Sequence, residues 1–198
     1  MYLQSLLASF CLLIGSHSQG TAETTPLPED DPKNFKYQDA TQMVQLPGTH
    51  WVKRRTYKVT TTPEEPTCEY AIIHNKLNEK QYTLELGAKV GSKWRSQNQT
   101  LELQTTGGHT VPNVLSFSRL QAEGRMGHPL LYSDYKECSI VRIKKKDPSE
   151  YVCALLLLNE AAKNEPPSEC KERFKTYCKG EAVEVYRSSC VTTGAEAM

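Results

Sequence analysis

Eight short runs of alternating apolar and polar residues, with turn signals between several of them, limit what this chain can fold into. They are 50–60, 67–75, 81–90, 98–105, 111–120, 128–134, 137–144 and 150–159. Successive side chains of a strand point to opposite faces, so such runs read as half-buried strands. Breaks such as "GG" at Gly107-Gly108 and "EGR" at Glu123 to Arg125 separate them. An even set of eight suggests a closed up-and-down barrel, because closure removes the unpaired edges of a sheet. The predicted fold class is all-β, an eight-stranded antiparallel barrel. Two short helices flank it. Asp39 can cap one that places Ala40, Met43, Val44 and Leu46 on one side, ended by Pro47-Gly48. Ser168 can cap another through "SECKERFKTYCKG", with Cys170, Phe174 and Cys178 near one face and Gly180 at its end.

Cysteine usage places the chain outside the cell. Residues 1–20 read as a secretory signal peptide, with an apolar stretch from Leu6 to Ile14 followed by small residues. Cys11 leaves with it. Six cysteines remain, Cys68, Cys138, Cys153, Cys170, Cys178 and Cys190, an even set expected to form three disulfides. Their connectivity is open at this level. No C-x-x-C or H-x-x-x-H spacing occurs, which ranks zinc far lower. Residues 21–35 are rich in Pro, Thr and acid and read as a flexible leader, 36–190 as the domain, and 191–198 as a flexible tail. "NQT" at Asn98 is a candidate glycosylation acceptor. No other apolar run is longer than the leader's, so no membrane span is expected.

Net charge is +1, with no nucleic-acid footprint in the balance. "RIKKKD" at Arg142 to Asp147 reads as a solvated hairpin end. "TGGHT" at Thr106 to Thr110 is a loop with no helix after it to cradle a phosphate. His74 and His109 are scattered, which favours core or loop roles over metal binding. No nucleophile–base–orienter set assembles, so neither an enzyme nor a cofactor is expected.

Several short stretches together carry a resemblance. "YQDA" at Tyr37, "RTY" at Arg55 and "YSDYKEC" at Tyr132 to Cys138 are three. "PPSEC" at Pro166, Cys178 and "YRSSC" at Tyr186 to Cys190 complete the set. From Tyr37 to Cys190 the chain resembles the tick salivary lipocalins of the histamine-binding type. The usual lipocalin G-x-W is replaced by "GTHW", one residue longer. The resemblance implies Cys68–Cys190 and Cys138–Cys170, which leaves Cys153 with Cys178. It also implies a secreted salivary protein that binds a small host inflammatory mediator and so aids immune evasion.

The family's amine motif places an acid directly after the cysteine of "YSDYKEC", where Ser139 stands. It places Glu-Leu-Trp in the last strand, where Ala154 and Leu156 replace the acid and the tryptophan. His128 stands where a further family acid tends to fall, and Thr60 takes another such position. A buried ammonium needs a counter-charge. Loss of these acids turns the expected ligand from a biogenic amine towards an acidic or neutral lipid, such as a leukotriene or fatty acid.

By alternation the expected inward residues are Trp51, Tyr57, Ala71, Ile73, Tyr82, Leu84, Phe117, Tyr132, Val141, Ala154, Leu156 and Leu158. Arg55 and Arg119 share their phase. Two readings of these arginines stand: cations on the inner wall that would pair a ligand carboxylate, or rim residues snorkelling over aromatics. Two other classes also stand: a protein–protein inhibitor of host defence such as complement, using the barrel loops, and a barrel filled by its own side chains.

Overall fold

The structure is a computed structural model that describes residues 26–60, 62–119, 124–144 and 151–190. The expected signal peptide, Cys11, the first part of the leader and the 191–198 tail lie outside the described residues. Eight strands run β1 Thr49–Arg55, β2 Thr67–Lys76, β3 Gln81–Val90, β4 Lys93–Gln104, β5 Val114–Phe117, β6 Met126–Ser133, β7 Cys138–Ile143 and β8 Val152–Leu158. Each pairs antiparallel with the next, and β1 pairs with both β8 and β2. The sheet thus closes on itself as the even strand count suggested. A two-residue strand β9, Val183–Glu184, was not foreseen; it pairs antiparallel with Arg54 and Arg55 of β1.

Helix α1, Ala40–Val44, follows its predicted cap. The Asp39 carboxylate accepts from the Thr41 and Gln42 N–H groups at 2.9 and 3.3 Å, and Ala40, Met43 and Val44 are buried. Gly48 then turns the chain into β1 at φ 112°, and a Cβ there would meet the Asn159 amide at 2.0 Å. That amide accepts from the Thr49 N–H and donates to the Pro47 carbonyl, pinning the turn.

Helix α2, Ser168–Tyr177, starts at its expected cap, one residue earlier than foreseen. Pro167 takes the cap position and Ser168 is the first helical residue. Cys170 and Phe174 are buried on one face, with Cys178 just past the end, and that face lies on the outer wall. Disulfides Cys138–Cys170 and Cys153–Cys178 staple it to β7 and β8, and Cys68–Cys190 closes the chain end onto β2.

Residues 26–35, expected to be part of a mobile leader, are docked. Glu29 is 6% exposed and ion-pairs with Arg142 while accepting from the Tyr151 hydroxyl. Gln38 holds the Pro28 carbonyl at 2.9 Å and the Leu131 carbonyl at 3.0 Å. The polar partners of this stretch lie far away in sequence, which composition does not reveal.

Candidate functional site

Two core clusters divide the molecule. One fills the barrel, from Met43 of α1 through Val52, Leu84, Leu101, Leu130, Val141 and Ala154. The other lies between the barrel wall, α2 and the C-terminal segment. The first cluster surrounds a cavity of about 700 Å³, within the range of small-molecule pockets. Ala71, Ile73, Leu84, Phe117, Val141, Ala154 and Leu156 line it as alternation predicted, and so do Tyr57 and Arg119.

Two β-bulges turn Trp51 and Tyr132 out of the expected wall. In β1 the register shifts between Val52 and Arg54. One extra residue inverts the phase. His50 and Val52 therefore line the cavity, whereas Trp51 faces outward and packs its ring against Tyr70 and Tyr186, each at 5.5 Å. In β6 the shift between Leu130 and Tyr132 does the same. Leu130 joins the inner cluster, and Tyr132 sits outside against Tyr37 at 5.3 Å, under the Arg173 guanidinium. Ser139 pairs with Leu156 but does not line the cavity; its hydroxyl hydrogen-bonds the Ser133 hydroxyl at 3.0 Å. Tyr82 packs in the inner cluster without lining the cavity, and Leu158 does not line it either. His128 is fully buried behind Phe117 with rings 4.4 Å apart, and its Nδ1 accepts from the Lys144 N–H.

A residue outside the expected inner wall carries the electrostatics. Glu69 shares phase with Ala71 and Ile73, a signal already present in the alternation, and it is the one carboxylate among the described residues lining the cavity. Arg55, fully buried, donates one guanidinium nitrogen to Glu69. The other reaches Glu65 at 2.9 Å and the Pro66 carbonyl at 3.3 Å. The Arg55 and Arg119 guanidinium carbons lie 5.5 and 4.9 Å from the centre of the Tyr57 ring. Burial pushes the Glu69 carboxyl above its ordinary range, against the opposing pull of Arg55 and Arg119. Arg95 also lines the cavity. The charged end thus sets Arg55 and Arg119 against Glu69 and the half-exposed Glu65.

Two histidines are held neutral. Burial depresses His50 to about 4, against a hydrogen bond to Leu46. Burial, helped by the Arg119 charge, depresses His128 to about 4. Their unfolded value of about 6.5 lies above the folded one. Stability from keeping them neutral is present above about pH 6.5 and is lost as pH falls towards 4. Each is expected to contribute a loss of about 2 kcal/mol between pH 7 and pH 5. Glu69 acts in the opposite sense. Denaturant titrations at the two pH values check this: His128→Phe should flatten the decline, and a decline unchanged in that variant contradicts it.

No three His, Cys, Asp or Glu side chains among the described residues are grouped to hold a metal ion. No described helix is long and apolar enough to cross a membrane.

The fold has solved counterparts. A serotonin complex of the protein AM182 superposes with a TM-score of 0.58 at 16% identity, over 77% of this chain and 92% of that one. Lobster apocrustacyanin A1 gives 0.56 at 15%, over 84% and 91%. Japanin from Rhipicephalus appendiculatus, bound to cholesterol, gives 0.53 at 12%, over 73% and 96%. No curated protein matches the chain. At these identities the likeness establishes the lipocalin barrel alone. The family model described as tick histamine binding protein matches residues 28–192. That match spans most of the sequence, and the chain is therefore a member of the tick histamine-binding protein family of lipocalins.

Proposed function

We propose that the protein is a secreted carrier that sequesters a small amphipathic lipid. The lipid's carboxylate would lie at the Arg119 end and its chain along the aliphatic wall. The observation that carries this reading is the charge balance of the cavity. Its one lining acid among the described residues, Glu69, is already paired with Arg55 and faces Arg119, with Arg95 on the same lining. An ammonium entering there would compete with a buried guanidinium for a single carboxylate; a carboxylate meets cations. The relatives span both chemistries, serotonin for AM182 and cholesterol for Japanin. In this chain Ser139, Ala154 and Leu156 offer no acid in place of those the amine motif requires. Action by lowering free mediator in host fluid needs affinity and no turnover, so the reading is binding without catalysis. The three disulfides suit an extracellular setting, and Asn98, exposed on β4, is open to a glycan there.

Titration calorimetry with oleic acid, methyl oleate and histamine tests it. Arg119→Leu is expected to weaken oleic acid about ten- to a hundredfold, the share of a charge-assisted contact, and to leave methyl oleate unchanged. Tighter binding of histamine than of oleic acid, or equal response of acid and ester to the substitution, overturns the reading.

A further inference from the structure

The outer wall of the barrel carries an aromatic surface beside Asn98. On β4, Arg95 and Gln97 line the cavity, so Trp94 and Asn98 face outward. Asn98 is exposed and lies directly opposite Glu85 of β3. Two residues along β3 stands Gly87, opposite Tyr70 on one side and Ser96 on the other. The Tyr70 ring lies across that glycine: a Cβ on Gly87 would meet its Cε1 and Cζ atoms at 2.3 Å. The Tyr70 hydroxyl donates to the Glu85 carboxylate at 2.7 Å, which aims the ring towards the neighbour of Asn98. Trp94 and Trp51 flank the ring, with centres at 6.0 and 5.5 Å. Tyr70 and Trp94 are only partly buried.

Diagonal neighbours on one face of a sheet lie about 7–8 Å apart, within reach of a long substituent. Gly87 and Ser96 place no bulky side chain between Asn98 and the ring. The stretch Asn98-Gln99-Thr100 can accept an N-linked sugar in an exported chain. The innermost N-acetylglucosamine shows C–H groups on one face of its ring, and the negative π-face of an aromatic side chain attracts them. Covalent attachment makes that contact intramolecular, so a weak attraction is enough to hold it. We infer that Asn98 carries a glycan whose innermost sugar packs on the outward face of Tyr70, with Trp94 at its flank. The inference rests on the secreted reading above and gives the glycan a fixed place on the fold.

The full chain secreted from insect cells provides the test, and peptide mass spectrometry reads occupancy at Asn98. Endoglycosidase then trims the glycan to one N-acetylglucosamine. In urea unfolding, the trimmed protein is expected to have a folded-to-unfolded ratio about tenfold above that of Asn98→Gln, the share of about 50 Å² of apolar surface removed from water. In a Tyr70→Leu background that advantage should vanish. If Tyr70→Leu fails to fold, proton resonances of the sugar decide the matter in the wild-type protein. Those over the Tyr70 ring should lie upfield in the folded state and return to ordinary positions in urea. An occupied Asn98 with no gain in stability and unshifted sugar resonances would overturn the seat. An Asn98 left bare in the secreted protein would overturn it as well. Either failure leaves the carrier reading standing, because oleic acid titration tests that separately.

Discussion

Arg55→Met is expected to lower stability by about 3–5 kcal/mol, the cost of stranding a buried charge whose partner is removed. Arg55 has no exposed surface, and its two nitrogens hold Glu69, Glu65 and the Pro66 carbonyl. Glu69 is 15% exposed in its side chain, and burial already pushes its carboxyl upward. Without Arg55 only the Arg119 charge opposes that push, and the carboxyl would take up a proton or draw in water. The double variant Arg55→Met/Glu69→Leu should recover most of the loss, because replacing a buried pair by apolar groups is often neutral or stabilising. Urea unfolding of the two variants, compared as a mutant cycle, measures the coupling. Losses that simply add, with no recovery in the double variant, would mean that Arg55 acts through packing against Tyr57 and not through charge.

Removing the Cys68–Cys190 disulfide as the double alanine variant is expected to cost about 2–5 kcal/mol. The crosslink joins residues separated by 122 positions, the longest of the three closures, so it removes the most freedom from the unfolded chain. It also anchors the start of β2 beside the Arg55–Glu69 pair: the Cys68 N–H donates to the Val185 carbonyl, and Glu69 is the next residue. Its loss should therefore weaken ligand binding as well as stability. The corresponding double variant at Cys153–Cys178, with a separation of 25, should cost less stability and leave affinity nearer to wild type. Denaturant midpoints and oleic acid titrations of the two variants check the ordering. A larger stability loss from the shorter closure would show that strain or packing, not chain entropy, governs these bonds.

Local pattern was enough for the barrel. Gln81–Val90 was legible to the residue, because a period of two is a property of the pleat itself. Asp39 announced α1 because a cap is a contact between near neighbours. The cysteine pairings came with the family resemblance, and the structure holds all three.

Which side chains face the ligand was another matter. Alternation carries a phase only until something inserts a residue, and the bulges in β1 and β6 leave no local mark. Trp51 and Tyr132 consequently read as inward and stand outside, while Arg55 is inward because the β1 shift falls between it and Trp51. His50 was hidden behind the same shift. Glu69 stood in plain phase with Ala71, yet its meaning depended on Arg55 fourteen residues away. Residue chemistry and period are written along the chain. The partner of a buried charge exists only once distant strands are brought together around a space that excludes water.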